Sequence, residues 1–240
     1  METKSLSIVI PCKNEEGYIE NLLDDLSIQV GIDKFPIIIA DASSTDNTRE
    51  LIRQKGEQYK SLDIIIIEGG TPAVGRNRGL GLVNSDYVLF LDSDIRFFQN
   101  DVIKTAMETL SNDGIYLTTC KLRAYNSPLL TKLSYSLYNF FHQILVKKYP
   151  FAIGAFFMTK TEVFRHRGGF DEGVDNSSDF LASQYFEPSE FLVVDRYIGQ
   201  DNRRIEKMGY IGMAKHLLKN LWSYHKLGRI HFLTKSSYWK

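Results

Sequence analysis

Four short aliphatic runs, each followed by an amphipathic segment, constrain this chain more than any other feature. They are Leu6-Ser7-Ile8-Val9-Ile10, Ile37-Ile38-Ile39-Ala40, Ile64-Ile65-Ile66-Ile67 and Tyr87-Val88-Leu89-Phe90-Leu91. Runs without polar alternation suit strands buried on both faces. Between them apolar residues return at helical spacing. Ile19, Leu22, Leu23 and Leu26 predict a helix within Glu15–Val30. Thr45 or Asp46 caps a second helix that reaches about Tyr59. Ala73–Leu82 and Asp101–Leu110 follow as helices, and Ile115–Thr119 as a fifth strand. Strands that alternate with helices predict an α/β fold around a mainly parallel sheet. The 240 residues allow one large domain or two small ones.

Parallel sheets bind ligands at the carboxyl ends of their strands. The first run ends in Pro11-Cys12-Lys13-Asn14-Glu15, and the second in Asp41-Ala42-Ser43-Ser44-Thr45-Asp46. The third is followed by Glu68-Gly69-Gly70, with Arg76 and Arg78 a turn later. The fourth delivers Asp92-Ser93-Asp94. Side chains two positions apart on an extended chain project the same way. Asp92 and Asp94 therefore either share a hard divalent cation, magnesium or manganese, or cap a turn. Each of the four segments alone reads as a turn. Four on one rim mark a site.

With 43% hydrophobic and 24% charged residues the composition is that of a soluble globular protein. Lys and Arg number 29, as do Asp and Glu, so no basic excess argues for nucleic acid. The charge is unevenly spread. No acid occurs from Gly114 to Thr161, a stretch that holds Lys121, Arg123, Lys132, Lys147, Lys148 and Lys160, and none occurs after Glu206. These basic stretches are either solvated faces or the footprint of an anionic partner. Leu129, Leu130, Leu133, Leu137, Phe140, Phe141, Ile144 and Leu145 recur at helical spacing within the first of them. Such a helix either packs on a core or lies in a membrane interface. Leu217, Leu218, Leu221 and Trp222 pose the same choice in the tail. Cys12 and Cys120 have neither disulfide-framework nor metal-site spacing. No apolar leader and no run near the roughly 20 residues of a membrane span are present. A cytosolic location is expected, with peripheral contact to the inner face of the cell membrane open.

Five of these segments resemble, in order, the motifs of the family 2 glycosyltransferases. Leu6–Glu15 resembles their opening strand, Pro and Asn-Glu. Ala40-Asp41-Ala42-Ser43-Ser44-Thr45-Asp46-Asn47-Thr48 resembles their second motif, and Gly75-Arg76-Asn77-Arg78-Gly79 their Ala-Arg-Asn-x-Gly. Asp92-Ser93-Asp94 takes the place of the metal-binding Asp-x-Asp. Gly168-Gly169-Phe170-Asp171-Glu172 matches their Gly-Gly-Phe-Asp-Glu, preceded by Gly154-Ala155-Phe156-Phe157. The motifs cover residues 6 to 172.

The resemblance implies a single A-type, Rossmann-like glycosyltransferase domain over 1–210. Its nucleotide-sugar-binding half would be 1–120, its acceptor-side half 121–210, and 211–240 a basic helical extension. It implies a nucleotide-sugar donor, most often linked to uridine diphosphate, and a magnesium or manganese ion. Asp41 would accept from the base N–H, with Pro11 and Glu15 lining the same pocket. Arg76 would approach the nucleotide or its phosphates, with Ser93 in the same donor site. Asp92 would serve the ribose or the metal, and Asp94 the metal. Arg203-Arg204 resembles a late basic segment that contacts the diphosphate, and reads equally as a surface helix start. Family members invert the anomeric centre in one in-line displacement and carry their base in a Glu-Asp pair. Here that pair is Ser178-Asp179, so Asp179 is the expected base and Asp175 the fallback. Asp171 and Glu172 read as structural.

The expected function is metal-dependent, inverting transfer of a sugar to a glycan or lipid-linked acceptor, in cell-envelope polysaccharide or glycolipid synthesis. Two other readings stay open. Ser178 and Ala42, where the family has acids, could mark an inactive nucleotide-sugar-binding protein. A sugar nucleotidyltransferase would also use a parallel sheet and a metal, but needs a glycine-rich basic loop that Pro11–Glu15 is not. A dinucleotide oxidoreductase is disfavoured because no Gly-x-Gly-x-x-Gly follows the first strand.

Overall fold

A computed structural model describes residues 4–31, 35–174, 177–203, 205–212 and 215. The chain runs β1 (Leu6–Cys12), α1 (Ile19–Ser27), β2 (Pro36–Asp41), α2 (Thr48–Gln58), β3 (Asp63–Glu68), α3 (Pro72–Leu82) and β4 (Tyr87–Leu91). It continues through β5 (Ile95–Phe97), α4 (Val102–Leu110), β6 (Leu117–Ala124), α5 (Leu129–Leu145), β7 (Phe156–Lys160), α6 (Thr161–His166), α7 (Ser178–Ser183) and β8 (Phe191–Gln200). Nearly all of the expected 211–240 extension, with Leu217, Leu218, Leu221 and Trp222, lies outside the described residues.

The eight strands form one sheet in the order β3-β2-β1-β4-β7-β6-β8-β5. Neighbours in β3-β2-β1-β4 are parallel, as are β6 and β8. Strand β7 is antiparallel to both β4 and β6, and β5 to β8. The reversal of β7 matters for the site. Its first residue, Phe156, pairs with Leu91 at the end of β4. The segment before β7 therefore arrives beside Asp92.

The sheet is buried on both faces, as continuous apolar strands require. Ile8 and Ile10 pack with α1, α2 and α4 in one core cluster. Val9, Val88 and Phe90 point the other way, into a second cluster with α3, α6 and α7. Phe90, Phe157, Phe164 and Phe170 interlock there, with ring centroids 4.8–6.0 Å apart. Helix α3 lies close to the sheet because it carries glycine. A Cβ on Gly79 would stand 2.4 Å from Val9 Cγ1, whereas one on Gly81 would meet nothing within 4 Å. Gly79→Ala should therefore destabilise by about 2 kcal/mol, lowering Tm by roughly 6 °C. Gly81→Ala should stabilise by up to about 1 kcal/mol through helix propensity. Thermal melts of the two variants test the opposite signs.

Three expectations need correction. The all-isoleucine β3 is an edge strand, so one side is open and Ile65 is 42% exposed. The strand expected over Ile115–Thr119 is β6, shifted to Leu117–Ala124, and the short β5 precedes it. Helix α5 does not bury its apolar stripe. Thr131 and His142 face inward, while all eight leucine, isoleucine and phenylalanine residues of the stripe are exposed. Among the described residues no helix is long and apolar enough to cross a membrane.

Candidate active site

The loop after β4 holds the two aspartates, and each faces an arginine. Arg76, buried on α3, donates from NH2 to Asp92 Oδ1 at 2.6 Å. Arg203, just after β8, donates from NH2 to Asp94 Oδ2 at 2.7 Å and reaches both Glu15 carboxylate oxygens at 3.2 Å. Its guanidinium also lies 4.7 Å from the Tyr18 ring centre. Like-charge repulsion between Asp92 and Asp94 is thus relieved by arginines from two distant segments. The aspartate side chains stay 30% and 20% exposed. Among the described residues no group of three or more metal-binding side chains converges. The donor set fits an ion held by two carboxylates and completed by substrate phosphates, the usual habit of magnesium.

On the other side of Arg76 lies Asp179, in the first turn of α7. Its Oδ2 accepts from the Gly154 N–H at 2.6 Å. Arg76 NH2 lies 3.5 Å from the Gly154 carbonyl oxygen. A Cβ on Gly154 would stand 3.0 Å from both Arg76 NH2 and Asp179 Oδ2, so the close approach requires glycine here. Burial raises the Asp179 pKa above the usual aspartate value, and the Arg76 charge opposes that rise. Asp92, Arg76, Gly154 and Asp179 form one contiguous polar cluster from four separate stretches of chain. The fallback, Asp175, lies outside the described residues, as does Arg204.

The remaining residues line the rim towards β3. Asp41 ends β2 with its side chain fully buried. It accepts from the Ser44 hydroxyl and from the Ser44 N–H at 3.3 Å, and Arg49 Nε lies 3.1 Å away. Beside it a cleft of about 250 Å³ is lined by Lys13, Ala42, Ser43, Glu68, Gly69 and Thr71, among others. Glu15 is buried, and its N–H donates to Thr48 Oγ1 at 2.8 Å. Burial pushes its carboxyl up to about 7, although Arg203 pulls the other way. Pro11 packs beneath α3, where a Cβ on Gly75 would touch its Cβ at 3.5 Å. Ser93 is buried and hydrogen-bonds the Cys12 thiol. Burial raises the pKa of that thiol, so Cys12 is a packed residue and not a nucleophile.

Sequence reasoning missed several partners. Asn77 Nδ2 donates to the Phe170 carbonyl and to Glu172 Oε1, each at 2.8 Å, and its Oδ1 accepts from the Phe170 N–H at 3.0 Å. The Phe170 ring lies 5.3 Å from the Arg76 guanidinium. Asp171 accepts from the Gly173 N–H at 2.8 Å. Two motifs 93 residues apart are thereby clamped together. The Tyr125 hydroxyl donates to the Asp94 carbonyl at 3.1 Å. Only the adjacency of Arg76 and Asn77 in one motif hinted at such a joint.

Residues 7–168 match the family model described as Glycosyl transferase family 2. The poly(ribitol-phosphate) beta-glucosyltransferase of Bacillus spizizenii is 34% identical over 92 residues, 37% of this chain and 14% of that protein. The amylovoran biosynthesis glycosyltransferase AmsB of Erwinia amylovora is 37% identical over 97 residues, 39% of this chain and 32% of that protein. The chain thus spans under a third of either relative. Mannosyltransferase PcManGT from Pyrobaculum calidifontis, solved with GDP-Man and Mn2+, superposes with a TM-score of 0.70 at 20% identity, over 94% of this chain and 62% of that one. TarS 1-349 from S. aureus, solved with UDP, gives 0.63 at 20% identity, over 82% and 60%. These likenesses show the expected A-type glycosyltransferase fold. With its five motifs in order and a family-model match over more than half its length, the chain belongs to glycosyl transferase family 2.

Proposed function

We propose that this protein is an inverting, metal-dependent glycosyltransferase. It would move a sugar from a nucleoside diphosphate, most often uridine diphosphate in this family, to a hydroxyl of a glycan or lipid-linked acceptor. The observation that carries this reading is the contiguous cluster Asp92, Arg76, Gly154 and Asp179, with Asp94 on the same loop. Three supports come from relatives: a neighbour solved with GDP-Man and Mn2+, another with UDP, and two named as a poly(ribitol-phosphate) beta-glucosyltransferase and an amylovoran biosynthesis glycosyltransferase.

The chemistry follows from the side chains. Asp179 takes the acceptor O–H proton, and the freed oxygen forms its bond to the anomeric carbon. The bond from that carbon to the phosphate oxygen breaks on the opposite side, and its electron pair leaves with the diphosphate. A magnesium or manganese ion held by Asp94 and Asp92 would offset the charge that grows on the leaving phosphate. Arg76 and Arg203 add positive charge along the same path. The Asp41 rim and its cleft take the nucleoside. The Gly154 N–H holds the Asp179 carboxylate in place, and Arg76 holds the Gly154 carbonyl. A peripheral station on the inner face of a membrane belongs to the same reading.

A thermal-stability screen of nucleotide sugars with and without manganese tests the donor. A ligand at 100 times its Kd raises stability by about 2.7 kcal/mol, a Tm gain of roughly 8 °C. Metal-dependent stabilisation by one nucleotide class is the expected result. Stabilisation without transfer to any acceptor in a glycan panel would leave a binding protein instead.

A further inference from the structure

Helix α5 presents its apolar side outward. Leu129, Leu130, Leu133, Leu137, Phe140, Phe141, Ile144 and Leu145 are 44–72% exposed. At 100° per residue they cover roughly 160° of the helix. A continuous exposed apolar face of this kind marks a contact with a partner or a membrane. The inward side is fixed by polar contacts, so the helix cannot roll over to hide it. Thr131 donates to Asn202 Oδ1 at 3.0 Å, and His142 Nε2 lies 2.6 Å from the Phe151 carbonyl. Tyr138 stacks on His142 with centroids 5.3 Å apart.

The surroundings are cationic. From Gly114 to Thr161 the chain has no acid. Lys147 and Lys148 are exposed just past the helix end. A cavity of about 780 Å³ opens between the flank of α5 and strands β6 and β8. Arg123 and Lys132 line it, with Phe98, Tyr125 and Tyr197. Among the described residues none of Arg123, Lys132, Lys147 and Lys148 has a carboxylate within ion-pair distance. An apolar helix face flanked by uncompensated cations matches an anionic lipid interface in both hydrophobicity and charge.

We propose that α5 seats in the surface layer of a membrane rich in anionic lipid, with Arg123 and Lys132 receiving a lipid phosphate in the adjoining cavity. His142 packs on Phe151, and Phe151 on Phe180, the neighbour of Asp179. The inward side of α5, opposite the lipid face, is thus linked to the candidate base through Phe151 and Phe180. The docking itself does not depend on sugar transfer.

Co-sedimentation of the full chain with vesicles tests it. Vesicles of phosphatidylcholine with 30% phosphatidylglycerol, on the order of a physiological anionic fraction, should bind at least ten times more tightly than phosphatidylcholine alone. Binding should weaken as salt rises. Leu133→Glu with Leu137→Glu and Phe141→Glu should lower it at least tenfold, with an unchanged circular dichroism melt because these side chains are exposed. Arg123→Glu with Lys132→Glu should remove most of the preference for the anionic vesicles. Asp94→Ala should bind as the parent does, which separates docking from catalysis. Absence of sedimentation, or equal binding to both vesicle types, would overturn the proposal. So would a concentration-dependent dimer broken by the same glutamates, since a second copy would then cover the face. Protection of a Leu137→Cys thiol from labelling in the lipid-free monomer would overturn it as well, by showing that another segment of the chain covers the face.

Discussion

Replacing Asp94 by Ala should lower sugar transfer by about three orders of magnitude while the fold persists. Asp94 is one of two carboxylates on the loop after β4, and it pairs with Arg203. Both side chains keep contact with solvent, at 20% and 33% exposure. Breaking such a pair changes stability by about 1 kcal/mol or less. Arg203 also keeps its two contacts to Glu15. The change in rate therefore far exceeds the change in stability. Initial rates with saturating manganese, set against a circular dichroism melt, separate the two. Manganese binding in the presence of UDP, followed by electron paramagnetic resonance, should weaken in parallel. Unchanged turnover in the variant would remove Asp94 from the metal site.

The second large effect is expected at Asp179. Asparagine there is nearly isosteric, and its carbonyl oxygen can still accept from the Gly154 N–H, so the loop keeps its shape. What disappears is the group proposed to take the acceptor proton. Transfer should fall by about 10²–10⁴-fold, while the donor still stabilises the protein in a thermal melt. The parent enzyme should lose activity as pH falls, because protonated Asp179 cannot act as a base. The midpoint should lie above the usual aspartate pKa, since burial raises it more than Arg76 lowers it. Retained transfer in Asp179→Asn would move the role to Asp175.

Much of the first half was legible in the sequence because its strands are continuous apolar runs. Tyr87–Leu91 coincides with β4, and the rim residues follow from the ends of those runs. The three residues of β5 are too few to signal a strand, and its centre is Arg96, ion-paired to Asp25. The direction of β7 could not be read, since strand pattern carries no sense of direction. Periodicity also showed that α5 has two unlike faces, but not which one turns inward. The inward side carries Thr131 and His142, with Tyr135 and Tyr138 packed against the core beside them. The arginine on each aspartate was illegible for another reason. Arg203 is 109 residues from Asp94, and no local pattern encodes such a contact.

The Asn77 clamp has a consequence for the order of assembly. The rim of β1, β2 and β4 comes from the first 94 residues, with β4 pairing back to β1 across 81 positions (Leu6 with Tyr87), and so needs no later part of the chain. The catalytic side needs Asn77 to find Phe170 and Glu172, closing a loop of more than 90 residues. Closing long loops costs entropy before any contact rewards it, and slows folding. A chain still emerging from the ribosome can thus shape the nucleotide pocket well before the base arrives. Newly made protein should acquire donor affinity first and turnover last, which guards against hydrolysing costly donors on a half-built enzyme.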